Sequence, residues 1–215
     1  MKILLCSATE MEIAPTLQFL STLGGGKIDV VITGVGLMTA TYALTKSVAV
    51  HRPGLIIQAG IAGTLDMGMP LGTVVTVNNE TIGDLGVQEN GQFRSLFDLK
   101  LLGRNIEPWV ESQLSNDDKL LNRTGLPIVN GVTVNEISTD EDTIHYYRNQ
   151  LNAQIETMEG AALHYVGLME KIPFLQMRSL SNFIGERDKT KWMIKKALSQ
   201  LNQELQKQLT NLIAI

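Results

Sequence analysis

Cysteine is nearly absent from this chain. Cys6 is the only one in 215 residues, so no internal disulfide can form, and a reducing, cytoplasmic setting is the expectation. Inside an apolar run, Cys6 itself reads as a small buried hydrophobe. Basic charge is also short: 18 Lys and Arg stand against 22 Asp and Glu, for a net charge of -4. That balance supplies no face for neutralising phosphates, which argues against a nucleic-acid partner and for a small molecule. No run approaches the roughly 18 uninterrupted apolar residues of a membrane span. The opening MKILLCSATE has only a short apolar stretch and no small-residue cleavage site, so it reads as a first strand and not as a signal peptide. Only three histidines occur, His51, His145 and His164. They are scattered without ligand spacing, and no metal is expected. The GVG at 34 to 36 begins a dinucleotide fingerprint, but Thr39 stands where its third glycine belongs, so no cofactor is expected.

What the sequence does have is an ordinary globular balance, 44% hydrophobic and 19% charged, enough for a sizeable core in a single α/β domain over residues 1–215. Short apolar runs at 2–6, 28–33, 55–58, 72–77, 127–134 and 174–177 read as strands. Between them, Ile13, Leu17, Leu20 and Leu23 recur at helical spacing, and so do Ile194, Leu198, Leu201, Leu205, Leu209 and Leu212 in a last helix from about Lys189. That leucine stripe packs on the sheet or on a second subunit. TDEDTIHYYRNQ reads as a helix with Thr139 as its N-cap, its acidic cluster capping instead of binding metal. NNETIGDLGVQENGQF reads as a surface loop, and residues 94–122 as a long excursion ending in a helix.

Three places gather residues fit for chemistry. Glu10 and Glu12 follow the first strand, at the carboxyl edge where ligands collect in open α/β sheets. The AGIAGTL segment, with Gly60 and Gly63, is either a plain strand-to-helix turn or a loop that offers backbone N–H groups to a ligand. In Ile155–Leu163, IETMEGAAL, Glu159 stands where a short β-rich run gives way to an apolar helix. The carboxylate either complements the helix N-terminus or projects into a concave space that Gly160, Ala161 and Ala162 leave open. RSLSN follows one strand later.

Taken together, Glu12, GVG at 34–36, AGIAG at 59–63, GDLG at 83–86, MEGAA at 158–162 and RSLSNFIGERD at 178–188 resemble the purine nucleoside phosphorylase and nucleosidase superfamily. Within it, GDLG and SNFIGERD are similar to the futalosine hydrolase family of the alternative menaquinone pathway. The resemblance covers essentially the whole chain. It implies a three-layer α/β/α sandwich with a central twisted mixed sheet, and cleavage of a purine N-glycosidic bond that releases hypoxanthine from futalosine. It also implies a homodimer or larger assembly.

The same resemblance gives the residues their expected parts. Glu12 matches the general base that deprotonates water. Glu159 matches the acceptor of the ribose hydroxyls, with Met158 on the same sugar face, and Gly60, Ile61 and Ala62 line the site. Arg178 either helps hold the water and the acids or forms a plain salt bridge to one of them. Asn182 stands where adenine-cleaving relatives place Asp; its amide can donate to a purine O6 or N7 but cannot deliver a proton, which favours a 6-oxopurine. Ile61 departs from the hydroxyl residue of methylthioadenosine enzymes. Neither glycine segment carries Lys or Arg, which favours water over phosphate as nucleophile. Ile137 and Phe183 are candidates for stacking on the base, and Arg94 or Lys100 for pairing with a carboxylate on the 5′ tail. The alternatives are another purine nucleosidase, a phosphorylase, or a non-catalytic nucleoside-binding module on the same fold.

Overall fold

The computed structural model describes residues 1–22 and 26–213. Its centre is made by the continuous apolar runs. Strand β1 (Ile3–Ser7) is buried along its whole length and lies parallel to β2 (Ile28–Ile32) on one side and β3 (Leu55–Thr64) on the other. Strands covered on both faces have no polar side to show, and hence no alternation in sequence. Ile3, Leu5, Leu55 and Ile57 face helices α1 (Glu10–Thr22) and α6 (Ile194–Ile213). Leu4, Cys6 and Ile56 face α2 (Leu37–His51) and α5 (Gly160–Met169). Burial pushes the Cys6 thiol up to about 12, so at neutral pH it stays a thiol packed as a hydrophobe.

The other half of the mixed sheet rolls up. β10 (Phe174–Phe183) runs parallel to β3 and antiparallel to β4 (Val74–Ile82). From β4 the order continues through β8 (Ile128–Thr133) to β9 (Ile155–Thr157), which pairs back onto the end of β3. These five strands therefore close on themselves, a refinement of the expected open sheet between two helical layers. A hairpin of β5 (Gly86–Glu89) and β6 (Gln92–Ser95) stands apart. The segment after it is irregular up to β7 (Leu114–Ser115) and the short α3 (Asp118–Asn122).

Several boundaries differ from the sequence reading, and for the strands the reason is that glycine and polar residues read as breaks. β3 runs straight through AGIAGT, and the next element is β4 and not a helix. Gly60 and Gly63 keep extended backbone and are not among the positive-φ glycines. NNETI continues β4, with Glu80 fully buried, and RSLSNF continues β10. In α4 (Glu141–Asn149) the cap is Asp140, whose carboxylate accepts from the Thr143 N–H at 2.8 Å, and not Thr139. The last helix starts at Ile194, after a 3-10 turn at Lys189–Lys191. Its leucines pack on the sheet and on α1 within the same chain. Leu23 and the first two glycines of the turn expected at 24–26 lie outside the described residues. No helix among the described residues is long and apolar enough to cross a membrane.

Candidate active site

Glu12 and Glu10 share the first turn of α1, but Glu10 is exposed and Glu12 is buried. Glu12 Oε2 accepts from the Ser7 hydroxyl at 3.1 Å and from the backbone N–H and hydroxyl of Thr9, both at 3.0 Å. Oε1 accepts from the Ile61 N–H at 3.1 Å. So the N–H group that the AGIAG segment offers goes to Glu12. The backbone of Glu12 is pinned as well: Asn202 of α6 donates to its carbonyl at 2.8 Å, while accepting from the Thr16 hydroxyl at 2.7 Å and the Thr16 N–H at 3.1 Å. Asn202 stands beside the leucine stripe, and a buried amide next to leucines was the readable sign of this tie.

Glu159 is the N-cap residue of α5, yet its carboxylate makes no cap hydrogen bond. The first N–H groups of the helix are taken by threonines instead, Gly160 by Thr157 at 3.1 Å and Ala161 by Thr133 at 2.8 Å. That leaves the carboxylate free to point elsewhere. Oε1 accepts from the Gly36 N–H at 2.9 Å, and Oε2 stands 3.9 Å from Arg178 Nη1. Gly36 has φ 97, a conformation that glycine adopts without strain. GVG therefore serves Glu159 here.

Arg178 is 1% exposed and donates from Nη2 to Gln58 Oε1 at 2.5 Å. Its guanidinium crosses β3 over Gly60. A Cβ at Gly60 would overlap Arg178 Nη1 and come within 2.9 Å of Glu12 Oε1. Gly60 thus brings Glu12, Arg178 and Glu159 into one buried cluster of two carboxyl groups and one guanidinium. The surplus of acid suits a cationic sugar.

A cavity of about 280 Å3 opens beside this cluster, bounded by Glu12, Glu159, Met158, Ile61, Ala62 and Asn182, among others. Ile137 and Trp192 also line it, but Gly60, covered by Arg178, does not, and neither do Phe183, Arg94 and Lys100. Trp192 is an aromatic wall that was missed, being counted only as part of the last helix. Arg94 sits on the β5–β6 hairpin against Glu89 at 3.5 Å, so the guess based on its charge alone is not supported. Asn182 reaches the cavity through a β-bulge: Leu180 pairs with Ala62, and Asn182 instead of Ser181 pairs with Gly63. The extra residue re-aims the side chain. Ser181 Oγ lies 2.8 Å from Asn182 Oδ1 and 3.1 Å from the Ala62 carbonyl, and Asn182 Nδ2 donates to the Phe183 carbonyl at 3.2 Å.

Below the start of α5 lies a second buried acid. Glu80 is fully buried; Oε1 accepts from Gln176 Nε2 and Oε2 from the Thr133 hydroxyl, each at 2.9 Å. Gly131 and Gly160 make room for it, since a Cβ at either would overlap its carboxylate. Desolvation, only partly offset by the Gln176 and Thr133 hydrogen bonds, lifts its pKa to about 7. His164, whose Nδ1 faces the Leu114 carbonyl at 2.9 Å, is held down to about 4 by the same burial. It is therefore a neutral core histidine.

A family profile described as "Phosphorylase superfamily" matches residues 9–214. A futalosine hydrolase of Thermus thermophilus is 31% identical over 92% of this chain and 91% of its own. A 5'-methylthioadenosine/S-adenosylhomocysteine nucleosidase of Tolumonas auensis is 30% identical over 73% of this chain and 70% of its own. Among solved structures, the native futalosine hydrolase of Helicobacter pylori superposes with a TM-score of 0.81 at 16% identity, covering 98% of this chain and 97% of its own. A Helicobacter pylori methylthioadenosine nucleosidase mutant with 5'-methylthioadenosine in the active site gives 0.83 at 16% identity over 98% of both chains. These last two share the fold. The chain belongs to the phosphorylase superfamily, in its futalosine hydrolase family.

Proposed function

We propose that this protein hydrolyses the N-glycosidic bond of futalosine, releasing hypoxanthine and leaving dehypoxanthine futalosine. The observation that carries the reading is a single cavity bordered by Glu12, Glu159 and Asn182, with no Lys or Arg among its lining residues. A site for phosphate as nucleophile would bring basic donors to the anion. In the reaction a water oxygen attacks C1′ while the bond to N9 breaks and the purine takes its electron pair. Glu12 accepts the proton from the water. Glu159 accepts hydrogen bonds from the ribose hydroxyls and, with Glu12, faces the positive charge that develops on the sugar. Arg178 stands beside Glu159 and shares the space over Gly60 with Glu12, without entering the cavity. Asn182 donates to the departing base at O6 or N7; the proton that ends on the purine comes from solvent, because a carboxamide has none to give. Ile61, lacking a hydroxyl, contributes its backbone N–H to Glu12.

A second reading, a methylthioadenosine/adenosylhomocysteine type of nucleosidase, is favoured by the Tolumonas relative and opposed by Asn182. We also place the enzyme in the cytoplasm, where Cys6 stays reduced, and as a homodimer or larger homo-oligomer. In support of association, Val35, Met38 and Tyr42 are 55%, 82% and 69% exposed beside the Gly36 loop. The test is release of free base from futalosine, its 6-amino analogue, inosine and methylthioadenosine, with and without phosphate. Futalosine should be cleaved fastest and phosphate should have no effect. Preference for the 6-amino nucleosides would favour the second reading, and phosphate dependence would mean a phosphorylase.

A further inference from the structure

Glu156 has no part in the scheme above, yet it lines the same cavity as Glu12, Glu159 and Asn182. It lies on β9, two residues before Met158, and is 5% exposed. Its Oε1 accepts the Ser138 backbone N–H at 3.2 Å, and its Oε2 has no hydrogen-bond partner. A buried carboxyl oxygen left unpaired costs free energy. Burial accordingly raises the pKa of Glu156, and Ser138 beside it offsets this only in part. Such a group is tolerable where a ligand supplies the missing donor.

The strand register shows which part of a ligand that would be. Asn182 pairs with Gly63, and Gly63 pairs with Glu156. The three residues form one row across β10, β3 and β9, and side chains in register on neighbouring strands point to the same face. Gly63 has no side chain, and Ile184 packs over it where a Cβ would stand, so Asn182 and Glu156 lie on either side of Ile184 with their main chains two strand spacings, about 10 Å, apart. A Cβ at Gly63 would overlap Ile184 Cδ1 and come within 3.3 Å of Asn182 Nδ2. Ile184 forms the floor of the cavity here, with a carboxamide on one side and an acceptor on the other, an arrangement that suits a planar base held by one edge.

We propose that Glu156 is a specificity residue that accepts the N1–H of a 6-oxopurine through Oε2, while Asn182 addresses the O6 and N7 side of the same edge. The assignment rests on the purine nucleoside reading of this cavity. A 6-oxopurine presents an acceptor at O6 and a donor at N1. A 6-aminopurine reverses both, so its N1 lone pair would face the carboxylate lone pair. Acceptor against acceptor in a buried site is the kind of mismatch that selects strongly.

The test reads recognition without turnover. Calorimetry would compare hypoxanthine, its 1-deaza analogue (CH in place of N1–H, with no added bulk) and adenine on the full-length wild type, Glu156→Gln and Glu156→Ala. Wild type should bind hypoxanthine at least tenfold more tightly than the 1-deaza base. Glu156→Ala should bring that ratio to within about threefold, and Glu156→Gln, whose amide can donate to N1, should move preference toward adenine. A wild type blind to the N1–H, or a variant that keeps the full ratio, overturns the proposal. Because each ratio is taken on one protein sample, a partly unfolded variant does not mimic the effect; if Glu156→Ala fails to fold, the Gln variant and the wild-type ratio still decide. Hydrolysis of futalosine is measured in parallel. Its absence with the base preference intact would sink the proposed reaction and spare Glu156.

Discussion

The two ends of the cavity are built differently. At the sugar end Glu12 takes four hydrogen bonds, Glu159 is held by Gly36 and Arg178, and Asn202 fixes the backbone beneath. At the base end Glu156 keeps an oxygen free, and the Asn182 side chain hydrogen-bonds only to its neighbours Ser181 and Phe183. Preorganisation pays where charge develops in the transition state, because dipoles already in place need no reorganisation. Base recognition needs the reverse, groups whose partners arrive with the ligand. The sugar end would then govern rate and the base end choice of substrate.

The largest expected effect breaks the sugar end. Glu12→Gln keeps the size of the side chain but removes the base; kcat/KM should fall about 10²- to 10⁴-fold while free hypoxanthine still binds. Unchanged turnover would show that the cluster is structural. Next in size is the scaffold beneath it. Glu80 has its pKa raised from 4.5 to about 7, so the folded state binds the proton more tightly than the unfolded one. Its contribution to stability is complete below pH 4.5 and is lost as pH rises through 7. Between pH 4 and 8 the loss is on the order of 3 kcal/mol at 1.36 kcal/mol per pH unit. Glu80→Gln, which mimics the protonated acid, should remove that part of the pH dependence in denaturant melts and be more stable than wild type at pH 8. Parallel pH profiles for the two proteins would refute this.

Smaller effects sharpen the base end. Asn182→Asp should shift kcat/KM toward the 6-amino nucleoside by about ten- to a hundredfold, the size of a buried hydrogen-bond mismatch of 1 to 3 kcal/mol, with less change in kcat on the better substrate. An equal loss on both substrates would assign Asn182 to the chemistry and not to choice. The smallest effect is at Arg94, paired with Glu89 outside the cavity: Arg94→Ala should leave KM for futalosine unchanged, and a several-fold rise would return it to the substrate.

The core strands were legible because burial on both faces writes itself as an apolar run, as in ILLC and LIIQ. Glu12, Glu159 and Asn182 were legible as residue types in a motif. What escaped depended on long-range packing. Gly60 and Gly63 looked like turn residues because a sequence does not show that Arg178, Glu12 and Ile184 would occupy the space of a Cβ. Glu80 looked like a loop acid, since Gln176 and Thr133 reach it from distant strands. Glu156 was passed over for the same reason: its place beside Gly63 and Asn182 exists only in the register of β9 on β3 and of β3 on β10, and an unpaired oxygen leaves no trace in composition. Asn202 did leave one, as a buried amide beside a leucine stripe.

The most direct test of the account is where the oxygen goes. In H2¹⁸O, with futalosine as substrate, the label should appear once on C1′ of the sugar product and not in hypoxanthine, at a rate unaffected by added phosphate. A sugar 1-phosphate formed in place of the labelled hydroxyl, or no release of hypoxanthine by the wild-type protein, would contradict it.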